Sequence, residues 1–214
     1  MKLYSYHRSS AAYRVRIALN LKDVAHTLVP VNLLTGEHIQ APYTDKQPQG
    51  LVPCLETDDG RFLSQSGAII QYIEALYPQH PLIPTDAFAA AEVRSMIDLI
   101  ACDIHPLDNL RVLKYLTQTL NVNEDEKMLW YFHWINKGFN ALESQIKATP
   151  YSLGDTVSLV DLYLVPQVYN ALRFKLDMTL YPNILAVYNN CNKLPAFDEA
   201  KPESQIDFPN PKAI

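Results

Sequence analysis

Two serines, Ser9 and Ser10, stand where a first strand passes into a first helix. Residues 2–6 alternate with aromatic side chains and predict the strand, and the apolar residues of 15–21 predict the helix. At a helix N-terminus, free backbone N–H groups and the positive end of the helix dipole favour an anion. A serine in this position either caps the helix or hydrogen-bonds to a bound thiolate, and these residues alone leave both interpretations open.

A second group of polar residues follows in the same part of the chain. Pro53 opens a predicted strand, where the Val52–Pro53 bond is either an ordinary trans bond or a cis bond. A cis bond would leave the N–H and C=O of Val52 free to pair with an extended peptide ligand. Gln65 and Ser66 precede another apolar helix, where they form either a simple cap or a second carboxylate site. His38 lies in a polar loop, where it either contacts a ligand or is solvated.

The second half of the chain adds a further set of polar side chains. His105, Asn109 and Arg111 lie around Pro106, and they face either a ligand crevice or solvent. Arg173 ends an apolar helix, a position that favours a cation even without any function. Two helix N-termini, a strand edge and nearby arginines together describe one site for an anionic ligand.

Composition limits the classes of function. The chain has 214 residues, a net charge of −5, 48% hydrophobic residues and 19% charged residues, which indicates a globular protein and argues against general nucleic-acid binding. We expect no signal peptide or membrane span, and therefore a cytoplasmic protein. Three widely spaced cysteines, without a C-x-x-C pattern, predict unpaired thiols and no structural metal: Cys54, Cys102 and Cys191.

The first third alternates strand and helix patterns. A strand, a helix and a strand predict a parallel βαβ unit, and two apolar runs joined through Asp59-Gly60 predict a hairpin followed by a helix. A polar loop with a short irregular helix is expected over 36–49. The predicted strands cover 2–6, 26–31, 52–56 and 61–63, and the predicted helices cover 10–22 and 65–76.

Beyond a proline-rich linker at 77–86, the pattern is helical throughout. One long helix is expected to bend near Pro106, and a buried central helix begins at a capping box formed by Ser158 and Asp161. The chain therefore predicts an α/β domain over 1–79 and an all-helical domain over 87–214, with a ligand held in the crevice between them. The tail from Pro202 is expected to be poorly ordered. Predicted helices cover 87–119, 125–147, a third segment from 158, and 183–192.

Several motifs resemble one known family over nearly the whole chain. The run SSAAYRVRIAL at 9–19 is similar to the zeta-class signature SSCxxRVRIAL of the glutathione transferase superfamily. Further matching runs are VNLLTGEH at 31–38, PQGLVP at 48–53, QSGAII at 65–70, IHPLDNL at 104–110 and DLYLVPQ at 161–167. The sequence departs from the family pattern at Ala11, where the family has cysteine, and at Gln47, where it usually has asparagine.

The resemblance implies a thioredoxin-like N-terminal domain that binds glutathione and a C-terminal helical-bundle domain that shapes the substrate site. Val52, before a cis Pro53, would pair with the cysteinyl backbone of glutathione, and Gln65 with Ser66 would hold its γ-glutamyl end. The full implied glutathione site comprises Ser9, Ser10, Ala11, His38, Val52, Pro53, Gln65, Ser66, His105, Asn109 and Arg111.

The resemblance also implies a reaction and a homodimer. Ser9, supported by Ser10, would stabilise the glutathione thiolate, and Arg14 and Arg173 would lie near substrate carboxylates. The implied activity is cis–trans isomerisation of maleylacetoacetate to fumarylacetoacetate in phenylalanine and tyrosine catabolism. Alternatives are isomerisation of maleylpyruvate, glutathione transfer to or dehalogenation of small α-halo acids, and non-catalytic binding of glutathione. The mechanism needs no protein thiol, so we expect Ala11 to leave activity intact.

Overall fold

A computed structural model describes residues 1–209 of the chain. Two compact units are present: Met1–Pro81 together with the described part of Asn192–Ile214, and Leu82–Cys191. The first unit thus includes a late segment that the predicted boundaries, 1–79 and 87–214, place in the helical domain. Among the described helices, none is long and apolar enough to cross a membrane.

The first unit contains a four-stranded sheet with the order β2-β1-β3-β4. Strands β1 and β2 are parallel, whereas β1 with β3 and β3 with β4 are antiparallel. This arrangement confirms the predicted βαβ and ββα order. Its elements are β1 (Lys2–Ser5), α1 (Ser10–Leu21), β2 (Thr27–Pro30), a 3-10 turn (Glu37–Ile39), α2 (Ala41–Thr44), β3 (Cys54–Glu56), β4 (Phe62–Ser64) and α3 (Ser66–Leu76).

A buried lysine ties α1 to the start of the linker. The Nζ atom of Lys22 donates to the backbone carbonyl oxygens of Tyr77, Gln79 and His80 at 2.9, 2.8 and 2.9 Å. The same ammonium lies 2.8 Å from a carboxylate oxygen of Glu74. The charge is therefore satisfied by several acceptors, which is the condition under which a buried ammonium is tolerated.

The second unit is helical, as predicted. The helix over Leu159–Arg173 (α7) is almost entirely buried, which its continuous apolar run indicated. Its start is fixed by Asp161, whose carboxylate accepts from the N–H and hydroxyl groups of both Ser158 and Ser152 at 2.7–3.0 Å. The helices are α4 (Ala87–Asp98), α5 (Leu110–Gln118), α6 (Glu124–Glu143), α7 (Leu159–Arg173) and α8 (Pro182–Cys191).

The single bent helix predicted over 87–119 is wrong. Helix α4 ends at Asp98, a π-helical turn follows over Leu99–Ile104, and α5 begins only after Asn109. The Asn109 side chain accepts from the N–H of Arg111 at 3.1 Å and caps α5. A new helix therefore starts where the sequence pattern suggested a bend.

The late segment of the first unit corrects another expectation. Helix α9 (Pro195–Asp198) and a 3-10 turn (Pro202–Ser204) are present, and both Pro202 and Gln205 are buried. The predicted poor order from Pro202 is thus wrong for 202–209, while 210–214 lie outside the described residues. Physically, the segment is held because its backbone carbonyls accept hydrogen bonds from side chains of α1.

Candidate active site in the first unit

The register of the sheet brings three predicted site segments to one edge. Tyr4 pairs with Cys54 and Cys54 pairs with Ser64, in both cases antiparallel. The end of β1, the start of β3 and the end of β4 therefore meet at the same edge. The loop to Ser9, the residues just before β3 and the N-terminus of α3 all extend from that edge.

Ser9 is the N-cap of α1. Its Oγ accepts from the N–H of Ala12 at 3.2 Å, and its own N–H donates to the carbonyl of Tyr6 at 2.9 Å. The capping interpretation is therefore confirmed. Capping is compatible with the second interpretation, a hydrogen bond to a bound thiolate, because a hydroxyl that accepts one hydrogen bond can still donate one to an anion. Ser10 is buried as the first residue of α1, and Ala11 follows it in the first turn.

The Val52–Pro53 peptide bond is cis, as the resemblance implied. Strand β3 begins only at Cys54, after this dipeptide. Among residues 1–209, the backbone N–H and C=O of Val52 take part neither in the sheet ladder nor in the hydrogen bonds of the loops. They are therefore available to an extended peptide backbone.

The N-terminus of α3 lacks a side-chain cap. Gln65 has a positive φ of 70°, and its Nε2 donates to Oε1 of Gln49 at 2.8 Å instead of supporting the helix. The first-turn N–H groups of α3, beginning at the buried Ser66, point out of an eleven-residue helix without a capping side chain. Such an N-terminus favours a carboxylate.

His38 lies in the 3-10 turn after β2, and it is half-buried. Its backbone approaches Gly50 so closely that a Cβ atom there would lie 2.9 Å from the His38 carbonyl oxygen. Gly50 also has a positive φ of 62°, a conformation that glycine adopts most readily. The loop that carries His38 therefore packs against Gly50, which lies two residues before Val52.

Arg14 is the predicted catalytic arginine of the first unit. It lies in α1 one turn after Ser10, on the same face of the helix. Its side chain is buried, although the resemblance alone gave no indication of its exposure.

The other predicted residues lie in the second unit. The Nδ2 atom of Asn109 is 3.3 Å from Nε2 of His105, and Asn109 also caps α5. Arg111 is exposed in the first turn of α5. Arg173 ends α7 as predicted, with its guanidinium carbon 4.5 Å from the centre of the Phe174 ring. Each unit is described by itself. A common site formed by the predicted residues of both units therefore stays a prediction.

Sequence patterns missed a half-buried acidic residue in the second unit, Asp108, whose two carboxyl oxygens are buried. Neither carboxyl oxygen has a hydrogen-bond partner among the described residues, and the same holds for the hydroxyl of the buried Tyr131. Burial raises the pKa of Asp108 to about 8. The one feature of the sequence that could have drawn attention to Asp108 was its place between two predicted site residues, His105 and Asn109.

The environment of Cys54 disfavours the thiolate form of its side chain. It is fully buried beside β1, and burial raises its pKa to about 11. A thiol reacts through its thiolate, so a raised pKa with no access to solvent suppresses its chemistry. Among residues 1–209, no group of three or more His, Cys, Asp or Glu side chains is arranged to hold a metal ion.

Comparison with known proteins defines the class. The chain matches models of the glutathione S-transferase N-terminal domain over residues 3–81 and of the C-terminal domain over residues 132–195. It is 47% identical to a probable maleylacetoacetate isomerase of Vibrio cholerae, covering 96% of this chain and 97% of that protein. It is 44% identical to a maleylpyruvate isomerase of Ralstonia sp, covering 97% and 99%. The chain belongs to the glutathione S-transferase family.

Within that family, the relatives point to one class. Proteins that are 40–47% identical over nearly the full length are named maleylacetoacetate isomerase, maleylpyruvate isomerase or zeta-class glutathione S-transferase. A solved maleylacetoacetate isomerase from Methylobacterium extorquens AM1, with bound malonate and glutathione, is 33% identical with a TM-score of 0.92, covering 98% of this chain and all of that one. The chain is accordingly a member of the zeta class.

Proposed function

We propose that this protein is a glutathione-dependent cis–trans isomerase that converts maleylacetoacetate to fumarylacetoacetate. The observation that carries the proposal is the shared sheet edge, where Ser9, the free backbone groups of Val52 and the uncapped N-terminus of α3 extend together. These groups fit the thiolate, the cysteinyl backbone and the γ-glutamyl carboxylate of glutathione, respectively. The names of the zeta-class relatives support the same activity.

Bound glutathione would supply a thiolate that adds to the conjugated double bond, which then rotates as a single bond and re-forms when the thiolate leaves. Ser9 would donate a hydrogen bond from its hydroxyl to the thiolate and, with the N-terminus of α1, lower the pKa of the thiol. Arg14 and Arg173 would pair with the substrate carboxylates and stabilise negative charge that develops on the carbonyl oxygen. The route uses no protein thiol, which is why alanine at position 11 is compatible with it.

Maleylpyruvate is the second candidate substrate. The Ralstonia relative named maleylpyruvate isomerase is 44% identical to this chain, close to the 47% of the Vibrio relative. Both substrates carry the same cis double bond between carbonyl groups, so the same residues would serve either reaction. The two differ in length, and the choice between them is a question of pocket size.

The test compares isomerisation rates on both substrates, with and without glutathione, for wild type, Ser9→Ala and Ser9→Thr. We expect a strictly glutathione-dependent rate that is higher on maleylacetoacetate. Ser9→Ala should lower kcat roughly 10- to 100-fold while glutathione still binds, as when one positioned donor is removed. Ser9→Thr keeps the hydroxyl and should retain most of the rate. A preference for maleylpyruvate would move the assignment to the second substrate, and bound glutathione without any isomerisation would refute both.

We also propose a cytoplasmic homodimer that acts in phenylalanine and tyrosine catabolism. Dimers are typical of the family, and large apolar side chains are exposed in each unit: Phe62 and Leu76 in the first, Phe88 in the second. Analytical ultracentrifugation should give about twice the chain mass of 24.3 kDa. A species with the mass of one chain would contradict the dimer.

A further inference from the structure

The late segment of the first unit reaches the loop that carries Ser9. The backbone N–H of His7 donates to Oδ2 of Asp207 at 2.9 Å, and Nδ1 of the same histidine lies 3.2 Å from that oxygen. The ring of Phe208 packs edge-to-face on the His7 ring, with centres 5.5 Å apart. Two neighbouring residues of the segment therefore contact a residue two positions before Ser9.

Arg16 holds the same loop from the helix side. The residue is 1% exposed, and its guanidinium donates to the carbonyl oxygens of Tyr6 and His7 at 3.4 and 3.1 Å. It also donates to the carbonyl of Ala200 at 2.9 Å, so it binds the loop and the late segment together. Both backbone polar groups of His7 are thus fixed, the N–H by Asp207 and the C=O by Arg16.

The protonation of His7 follows from the same contacts. Burial lowers the pKa of His7, against the opposing effect of Asp207, while Arg8 and Arg16 also disfavour the charged ring. The ring is therefore neutral at neutral pH. Because a carboxylate only accepts hydrogen bonds, the ring carries its proton on Nδ1, facing Asp207. Asp207 thereby orients both the backbone and the side chain of His7.

The position of Ser9 depends on this arrangement. Its N–H donates to the carbonyl of Tyr6, which Arg16 also binds, and only Arg8 separates it from His7 in the chain. We propose that Asp207 is a positioning residue that fixes this loop so that the Ser9 hydroxyl meets the glutathione thiolate. The inference rests on the proposed function, in which Ser9 donates to that thiolate. A displacement of a reacting group by about 1 Å is enough to lower a rate substantially.

The test uses Asp207→Ala, the conservative variant Asp207→Asn and the matched control Asp198→Ala. Asp198 lies in the same segment, and its carboxylate is exposed and paired with Lys201. The readouts are the pKa of the bound glutathione thiol, titrated by thiolate absorbance, together with kcat, KM and the unfolding temperature. We expect Asp207→Ala to raise the thiol pKa by about one unit and to lower kcat about tenfold, with KM for the dicarboxylate changed less than about twofold.

The variants separate positioning from stability. Asp207→Asn keeps an oxygen that accepts from the His7 N–H, so it should recover most of the thiol pKa and kcat and remain testable if the alanine variant does not fold. Asp198→Ala should match wild type. An unchanged thiol pKa and kcat in both Asp207 variants, with only the unfolding temperature lowered, would overturn the inference and leave the proposed function standing. Wild type that binds no glutathione would overturn both.

Discussion

Buried charged residues in this chain differ in how well they are satisfied. Asp161 is buried but accepts four hydrogen bonds, and Arg16 is buried but donates to several backbone carbonyls. Burial still lowers the pKa of Arg16, to about 10. Asp108, a half-buried residue, differs from both because its buried carboxyl oxygens have no partner among the described residues. Desolvation then favours its neutral form.

Asp108 should make stability depend on pH. Burial raises its pKa from 3.8 to about 8, so the folded state retains a proton that the unfolded state releases between those values. The contribution of this retained proton to the free energy of unfolding is present below about pH 4 and is lost as the pH rises towards 8. Between pH 5 and pH 8, wild type should lose up to about 1 kcal/mol per pH unit relative to Asp108→Asn, whose amide does not titrate. Thermal unfolding of both proteins across this range checks the prediction, and parallel pH profiles would contradict it.

Sequence patterns predicted some site residues better than others. The cap at Ser9 was predictable because it depends on a local strand-to-helix transition. The burial of Arg16 was not, since a charged residue between Val15 and Ile17 gives no local sign of what covers it. Helix α9 packs against α1, and the Ala200 carbonyl that Arg16 binds is 184 residues away in sequence. A pattern within one helix does not contain this information.

At the level of elements, the π-helical turn depends on its packing against α6. Gly138 of α6 lies so close to the turn that a Cβ atom would be 2.2 Å from Cδ1 of Ile104. Ile104 is itself fully buried, so it has little room to move. The pattern over 87–119 predicted helical residues correctly but not the break between two helices, where the π-helical turn follows α4 and the Asn109 side chain caps α5.

Gly138→Ala should therefore destabilise the second unit. Alanine would gain helix propensity of about 1 kcal/mol over glycine, but overpacking against Ile104 typically costs about 1–3 kcal/mol. We expect a net loss, measured by chemical denaturation beside Asn140→Ala, an exposed substitution in the same helix. A stabilised Gly138→Ala variant would mean that the turn shifts freely to accept the methyl group.

At the level of the whole molecule, the two units are not successive halves of the chain. The linker was predictable from its prolines, whereas the return of 192–209 to the first unit was not, because no change of composition marks it. The return is made by specific hydrogen bonds: Arg16 to Ala200, Asn20 to Ala196, and His7 to Asp207.

Arg16→Met should loosen the attachment of residues 192–209 to the rest of the first unit. The substitution keeps most of the side-chain volume but leaves the carbonyl oxygens of His7 and Ala200 without their donor, while that of Tyr6 keeps the N–H of Ser9. A buried acceptor left without its donor costs about 1–3 kcal/mol, and amide exchange in 192–209 should accelerate. Arg61→Met, at an exposed turn position, serves as the control. Unchanged exchange in Arg16→Met would show that apolar packing alone holds the segment.

The noncontiguous first unit also has a consequence for synthesis on the ribosome. Translation makes Arg16 long before Ala200, whereas the second unit, Leu82–Cys191, is one uninterrupted stretch. Domains usually fold in the order in which they emerge. Here we expect the reverse: the helical unit closes first on the nascent chain, and the loop that carries Ser9 is locked only when Asp207 has left the exit tunnel.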